Sequence, residues 1–255
     1  MKISVSTLPF YPQPLEDVLN RLVELDVQYC EIINEYPHQF LENDLFDSYD
    51  LKTSIHTPLS DINLASHNQA MRNSSISEIK KSMETASQLG SEIVVVHPGH
   101  MPILGRRFTD KILQYNRDSL KECSQHAREL GVTMCVENMP DIEGLLYKDL
   151  GELKSLILDI DAYITLDVGH AHNNRYSVKD MLKCSRIRHI HLSDNDGSYD
   201  SHNALGNKGV NGKGIDFISL FNGLKNIKYN GILVVEVEEI HSVEESLLYL
   251  KKILN

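Results

Sequence analysis

The feature that most constrains this chain is a pattern that repeats along its whole length: a short apolar segment, a loop, and a longer amphipathic segment. Short apolar runs bounded by turn residues are typical of buried strands, and apolar residues three or four apart are typical of helices. Strands are predicted near residues 2–6, 27–33, 51–55, 92–96, 132–136, 163–166, 187–192 and 232–237. Helices are predicted near residues 15–25, 69–89, 109–130, 150–158, 178–184, 217–224 and 243–253, with a weaker one near 39–46.

Strands and helices that alternate in this way predict an α/β fold with a parallel sheet. Such a sheet is either open and doubly wound or closed into a barrel, and length alone does not separate the two. The G-x-G-x-x-G motif of dinucleotide-binding sheets does not follow the first strand. No linker or low-complexity segment interrupts the pattern, and 255 residues is a normal length for one α/β barrel. We therefore expect one domain over residues 1–255.

The charge balance narrows the class of partner. The net charge of −11 argues against broad contact with nucleic acid or an anionic membrane surface, although bound cations can still hold a small anionic substrate. The four cysteines form no C-x-x-C pair, which excludes the common zinc-finger and redox motifs. No apolar run is long enough to span a membrane. This composition fits the cytoplasm.

Side chains that can bind metals follow six consecutive strands, from the third to the eighth. They are His56, His97, Glu137, Asp167, His170, His191, Asp200, His202 and Glu236. Each one alone is more often a hydrogen-bonded structural residue or a helix cap. Together they mark one edge of the sheet, which in a barrel is the face where active sites are built.

The residue types in this set indicate which metals would bind. Five histidines and four carboxylates, without a thiolate, are ligands for zinc or manganese. Nine ligands exceed the needs of one ion. The set therefore predicts two or three Zn²⁺ ions, or Mn²⁺ in their place, with a bridging carboxylate.

Short motifs around these residues resemble a known family. They are H-T-P at 56–58, I-N-L-A-S at 62–66, H-P-G at 97–99, E-N at 137–138, D-V-G-H at 167–170, H-L-S-D at 191–194 and D-S-H at 200–202. In this order, and with Glu236 after the last strand, they resemble the xylose isomerase-like TIM barrel superfamily (AP endonuclease family 2). Within it they are similar to endonuclease IV, a zinc-dependent enzyme that cleaves DNA at abasic sites. The resemblance implies a single (β/α)₈ TIM barrel.

The resemblance also implies which residues share each ion. One ion would be bound by His56, His97 and Glu137. A second would share Glu137 and add Asp167, His191 and Glu236. A third would be bound by the loop residues Asp200 and His202 together with His170.

The leading hypothesis for the reaction is endonuclease IV-like hydrolysis of a phosphoester, with abasic DNA or a small phosphorylated molecule as substrate. Neighbouring metal ions can generate a hydroxide and stabilise both the attacking and the leaving oxygen. This hypothesis gives every predicted ligand a task. Arg106, Arg175 and Lys213 fall in loops at the predicted active face and would bind the phosphate.

The alternative is a sugar or sugar-phosphate isomerase or epimerase. One metal would bind the sugar oxygens, and the catalytic carboxylates Glu137 and Glu236 would exchange a proton next to the carbonyl. The segment after His56 lacks the aromatic residue that helps endonuclease IV to wedge into DNA, which favours this alternative. A third hypothesis is a barrel that only binds a metal or a sugar. The sequence does not predict the oligomeric state.

Overall fold

The computed structural model describes residues 1–39, 41, 43–207 and 212–254. Its strands are β1 (Lys2–Ser6), β2 (Tyr29–Ile33), β3 (Lys52–His56), β4 (Ile93–Val96), β5 (Thr133–Glu137), β6 (Tyr163–Asp167), β7 (Ile187–Leu192) and β8 (Ile232–Val235). Each strand pairs in parallel with the next one along the chain, and β8 pairs with β1. The predicted (β/α)₈ TIM barrel is confirmed.

The α-helices surround the barrel. In the described residues they are α1 (Leu15–Glu24), α2 (Asn43–Asp47), α3 (Gln69–Gln88), α4 (Thr109–Leu130), α5 (Leu150–Ile160), α6 (Val168–Asn173), α7 (Val178–Met181), α8 (Phe217–Asn226) and α9 (Ile240–Leu254). Each long helix buries one apolar face, as α1 does with Val18, Leu19 and Leu22. The helix predicted near 39–46 is found as α2 over Asn43–Asp47, and residues 40 and 42 of that prediction lie outside the described residues. In the described part of the chain, no helix is long and apolar enough to cross a membrane.

The sequence analysis did not predict α6. Its six residues, V-G-H-A-H-N, are too few to show a helical apolar stripe. The helix starts because the Asp167 side chain accepts a hydrogen bond from the backbone N–H of His170, which caps the first turn. One residue therefore ends β6 and caps α6, so the D-V-G-H segment turns sharply at the barrel mouth.

Side chains alternate between the two faces of each strand, as the pleat of a strand requires. In β7, Ile190 and Leu192 belong to the apolar layer between barrel and helices, whereas His189 and His191 contact a residue of β2. β2 and β7 are separated by β8 and β1 around the barrel, so these contacts cross the interior. The interior therefore holds polar side chains from β2 and β7, beside a small apolar cluster of Ile93, Val95 and Cys135.

Candidate metal centre

All nine predicted ligand residues lie at the carboxyl ends of strands or in the loop or short helix that follows. Within the described residues, potential ligand atoms form four groups, and the atoms of each group lie within 4.8 Å of one another. We name them the central cluster (Glu137, Asp167, His191, Glu236), the β3–β4 cluster (His56, His97, Glu137), the loop cluster (His170, Asp200, His202) and the floor cluster (Glu31, His189, His191).

The central cluster brings three carboxylates and one imidazole to the end of the barrel interior. Nδ1 of His191 lies 2.8 Å from Oε2 of Glu236, 3.3 Å from Oε1 of Glu137 and 3.9 Å from Oδ2 of Asp167. All four residues are buried. A donor set rich in carboxylate oxygen with one imidazole is suited to a divalent cation such as Mn²⁺ or Zn²⁺.

Glu137 joins the central cluster to the β3–β4 cluster. While its Oε1 faces His191, its Oε2 lies 3.4 Å from Nε2 of His56 and 3.2 Å from Nε2 of His97. Nδ1 of His56 is 2.7 Å from the carbonyl oxygen of Thr57. An N–H at that position donates to the carbonyl, so Nε2 is the nitrogen left to face Glu137. Glu137 thus has the geometry of a bridging carboxylate.

The loop cluster is centred on Asp200. Oδ2 of Asp200 lies 3.1 Å from Nε2 of His170 and 3.2 Å from Nε2 of His202. The two imidazoles come from different segments, since His170 lies in α6 and His202 lies in the loop after β7. The cluster therefore exists only when that loop lies over α6.

Asn138 connects the strand ends that carry Glu137 and Asp167. Its Nδ2 donates to the carbonyl oxygen of Asp167 at 3.0 Å, and its Oδ1 accepts from the N–H of Asp167 at 2.9 Å. This pair of bonds extends the ladder between β5 and β6 by one step. Its carbonyl oxygen lies 2.8 Å from Nδ1 of His170. One asparagine thus holds parts of two clusters in register.

Burial and charge act against each other in the central cluster. Burial raises the pKa of Asp167 to about 6. Burial also opposes ionisation of Glu137 and Glu236, but the positive charge of His191 outweighs it. The pKa of Glu137 lies well below its usual range, and that of Glu236 is lowered.

In the loop cluster the carboxylates favour protonated histidines. Burial opposes the charge on His170, yet the nearby Asp167 and Asp200 raise its pKa to about 9. Burial likewise opposes the charge on His202, and its hydrogen bond with Asp200 raises the pKa to about 10. Without a metal both imidazoles are therefore charged at neutral pH, and a cation that binds there displaces their protons.

Several buried polar atoms of these clusters lack a hydrogen-bond partner. Among the described residues they include Oδ2 of Asp167 and Oδ1 of Asp200. A buried polar atom without a partner is costly, and most are paired in folded proteins. These acceptors lie beside other ligand atoms, so the residues present fit a bound divalent cation.

The predicted phosphate-binding residues do not come together. Arg175 and Lys213 line a cavity of about 990 Å³ beside α7 and α8, and none of the nine predicted metal ligands lines it. Arg106 pairs with the carboxylate of Glu143, and both side chains are exposed. The cavity and the predicted ligands thus share no residue, although His172 of α6 lines the cavity, and Arg106 lies outside it.

Comparison with known proteins decides the family. The model of the family described as "Xylose isomerase-like TIM barrel" matches residues 8–253. The chain belongs to this family. An uncharacterised member from Methanocaldococcus jannaschii is 32% identical over an alignment of 267 residues with gaps included, which covers 100% of this chain and 89% of the relative. A second one from the same organism is 31% identical over 256 residues, or 93% of this chain and 92% of the relative.

Solved structures that are similar to this chain include proteins described as sugar epimerases or as epimerase-like. A D-tagatose 3-epimerase-like protein is 31% identical, with a TM-score of 0.90 over 100% of this chain and 97% of the other. The 3-keto-D-glucoside 4-epimerase of E. coli is 17% identical, with a TM-score of 0.81 over 99% of both chains. At that identity the likeness shows the fold alone.

The expected phosphoester hydrolysis is wrong for this xylose isomerase-like barrel. The structure that is 31% identical to this chain is described as D-tagatose 3-epimerase-like and not as a hydrolase. The physical reason is that a count of strand-end ligands reports where metals can bind at a barrel mouth. The reaction depends on which groups face the substrate, and the same carboxylates and imidazoles serve either chemistry.

Sequence reasoning missed two residues at this site. Glu31 lies within β2 and forms the floor cluster, and Asn138 links β5 to β6. A signal for Glu31 was present, since a carboxylate within the apolar run Y-C-E-I-I is rarely buried without a partner. The asparagine gave no such signal, because its role depends on which strand lies beside it.

Proposed function

We propose that this protein is a metal-dependent epimerase of small ketoses, and that Glu137 and Glu236 are its catalytic acid and base. The observation that carries the proposal is the central cluster, where two glutamates from different strands flank Asp167 and His191. A relative of 31% identity described as D-tagatose 3-epimerase-like supports it. Its substrate class is a small sugar or sugar phosphate.

The two glutamates approach a bound sugar from different sides. Glu137 ends β5 and Glu236 follows β8, and two strands, β6 and β7, separate them around the barrel. An ionised carboxylate on one side removes the proton from the carbon next to the carbonyl, and the C–H electron pair moves toward the carbonyl oxygen to form an enediolate. The carboxyl on the other side must hold a proton at this step, although its pKa is lowered in the metal-free cluster, and it donates that proton to the opposite face of the same carbon. The configuration inverts without net oxidation.

The cluster also needs a cation for this reaction. Glu137, Asp167, His191 and Glu236 would bind it, and when bound it would chelate sugar oxygens and stabilise negative charge on them. Zn²⁺ and Mn²⁺ both suit these donors. Asp167 contributes charge and orientation, while its backbone is held by Asn138.

We propose that the cavity beside α7 and α8 receives the part of the substrate that lies away from the reacting carbon. Arg175 and Lys213 line it, and their positive charges are suited to a phosphate or to sugar hydroxyls. We propose these two residues as substrate-binding residues. Arg106 pairs with Glu143 and does not line this cavity. Its role in substrate binding stays a prediction.

Solvent exchange tests the roles of the two glutamates. Protein loaded with Mn²⁺ or Zn²⁺ is incubated in D₂O with D-tagatose, D-psicose and D-fructose, and deuterium at the carbon next to the carbonyl is followed by NMR. Glu137→Gln and Glu236→Gln should each reduce epimerisation by about 10²–10⁴-fold. Each variant retains one base and should therefore exchange the proton of only one of the two epimers. The epimer that exchanges in Glu137→Gln should be the one that does not exchange in Glu236→Gln.

A matched control and a clear failure complete this test. Glu245→Gln changes an exposed carboxylate on α9 and should leave the rate unchanged. The proposal fails if metal-loaded wild type interconverts no ketose in a wider sugar and sugar-phosphate panel. It also fails if either glutamine variant epimerises at the wild-type rate.

A further inference from the structure

Glu31 is a buried carboxylate that the proposed reaction does not use. It lies in the middle of β2, and its side chain is fully buried below the central cluster. β2 supplies no residue to the central, β3–β4 or loop clusters. A buried carboxylate that contacts neither substrate nor solvent needs a partner of its own.

Three polar side chains surround Glu31. Its Oε2 accepts a hydrogen bond from Oγ of Ser54 at 2.8 Å and lies 2.6 Å from Nε2 of His189. Its Oε1 lies 2.8 Å from Nε2 of His191. All four residues are buried. The carboxylate is therefore held on one oxygen by β3 and β7, and its other oxygen is presented to His191.

This contact is an ion pair that favours a proton on Nε2 of His191. An unprotonated Nε2 would place the negative end of the imidazole dipole 2.8 Å from a carboxylate oxygen, which is unfavourable. A proton on Nε2 makes the contact attractive. Nδ1 points to the opposite side of the ring, where Glu236, Glu137 and Asp167 lie, and a cation bound among them would replace the proton on Nδ1 while Nε2 keeps its own.

We infer that Glu31 is a positioning residue of the metal site, which acts through His191 by holding the Nε2–H tautomer and the ring orientation that direct Nδ1 at the cation. Histidine ligands commonly have a carboxylate of this kind on their other nitrogen, and its loss weakens metal binding. The inference rests on the metal site of the proposed function and not on epimerisation.

Metal affinity measures this role without any substrate. Calorimetric titration of metal-free protein with Zn²⁺ or Mn²⁺ gives the Kd of wild type and of Glu31→Gln, a variant of nearly the same shape without the charge. We expect Glu31→Gln to weaken binding at the central cluster by about 10- to 100-fold. Ser54→Ala keeps the carboxylate and removes only one of its supports, so it should have a smaller effect.

The tautomer of His191 is a second readout that a merely structural role would not change. Long-range ¹H–¹⁵N spectra of Zn²⁺-loaded protein, assigned with His191→Gln, should show protonated Nε2 in wild type and a weakened preference in Glu31→Gln. If that variant does not fold by circular dichroism, Glu31→Asp replaces it and should also weaken binding, because the shorter side chain withdraws the carboxylate.

Two results separate the failure of this inference from the failure of the proposed function. If a folded Glu31 variant binds the metal with the wild-type Kd and keeps the wild-type tautomer of His191, the role of Glu31 is wrong. That conclusion holds whether or not the enzyme acts on sugars. Conversely, metal binding that weakens as expected in a protein that epimerises no ketose supports the role of Glu31 and overturns the proposed reaction.

Discussion

Backbone carbonyl groups orient the imidazoles of the loop cluster. Nδ1 of His170 lies 2.8 Å from the carbonyl oxygen of Asn138, and Nδ1 of His202 lies 3.0 Å from that of Glu236. An N–H at each Nδ1 donates to the carbonyl, so each Nε2 is free to face Asp200. A cation that displaced the protons on these two nitrogens would therefore meet two imidazole lone pairs and a carboxylate outside the central cluster.

A metal count on His202→Ala tests whether this cluster binds an ion of its own. We predict two or three ions per wild-type chain and the loss of about one equivalent in the variant, because three protein ligands are the usual minimum for zinc. Mass spectrometry of metals after loading and desalting measures the ratio. His241→Ala, an exposed histidine of α9, serves as control. A ratio of one or less in wild type would contradict the prediction.

At the scale of elements, the first turn of α6 packs closely against the end of β7. A Cβ atom at Gly169 would lie 2.3 Å from Oγ of Ser193 and 3.2 Å from Nδ2 of Asn195. The same turn carries His170 and is capped by Asp167, residues that belong to two different clusters. The absence of a side chain at Gly169 is therefore what allows both clusters to lie so close to β7.

Gly169→Ala should reduce the free energy of unfolding by about 1–3 kcal/mol, as overpacking of a buried site does. Urea unfolding measures the change. In the double variant with Ser193→Ala most of the loss should be recovered, since the nearest obstructing atom is removed. Gly151→Ala in α5 meets only Oδ1 of Asp149 at 3.0 Å and should change stability by less than about 1 kcal/mol. Equal losses in the two alanine variants would refute this account.

The closed sheet makes the first and last strands neighbours. The pairing between β1 and β8 runs from Lys2 with Ile232 to Val5 with Val235. Loss of β8 would therefore expose an edge of both β7 and β1. Because the strands share one continuous sheet, we propose that residues 1–255 form a single domain that unfolds as a unit.

Two fluorescent reporters test that unity, since the chain contains no tryptophan. Tyr29→Trp reports on β2, and Tyr163→Trp reports on β6. Their urea transitions should coincide, which is the test for a single cooperative unit. Leu233→Ala in β8 should cost about 2–5 kcal/mol and shift both transitions equally. Transitions that separate, or a shift in only one reporter, would indicate two units.

Much of this architecture could be predicted from local patterns in the sequence. The strand predicted at 187–192 is found as β7 at Ile187–Leu192, and the ligand types predicted at strand ends lie together at one mouth. The reason is that hydrophobic periodicity reports element type, and parallel strands place their carboxyl ends on one side. The prediction of strand-end clusters thus needed no knowledge of distant contacts.

Which strands meet and which side chains share a cluster depend on contacts between distant parts of the chain. The pairing of β8 with β1 and the contact of Glu31 with His191 join residues far apart in the chain. Pleating turns successive side chains to opposite faces, so a shift of one residue in β2 would turn Glu31 from the interior toward the helices. Contacts of this kind depend on closure and register, which periodicity along the chain does not report. For the same reason the ligand types alone predicted metals but not the reaction.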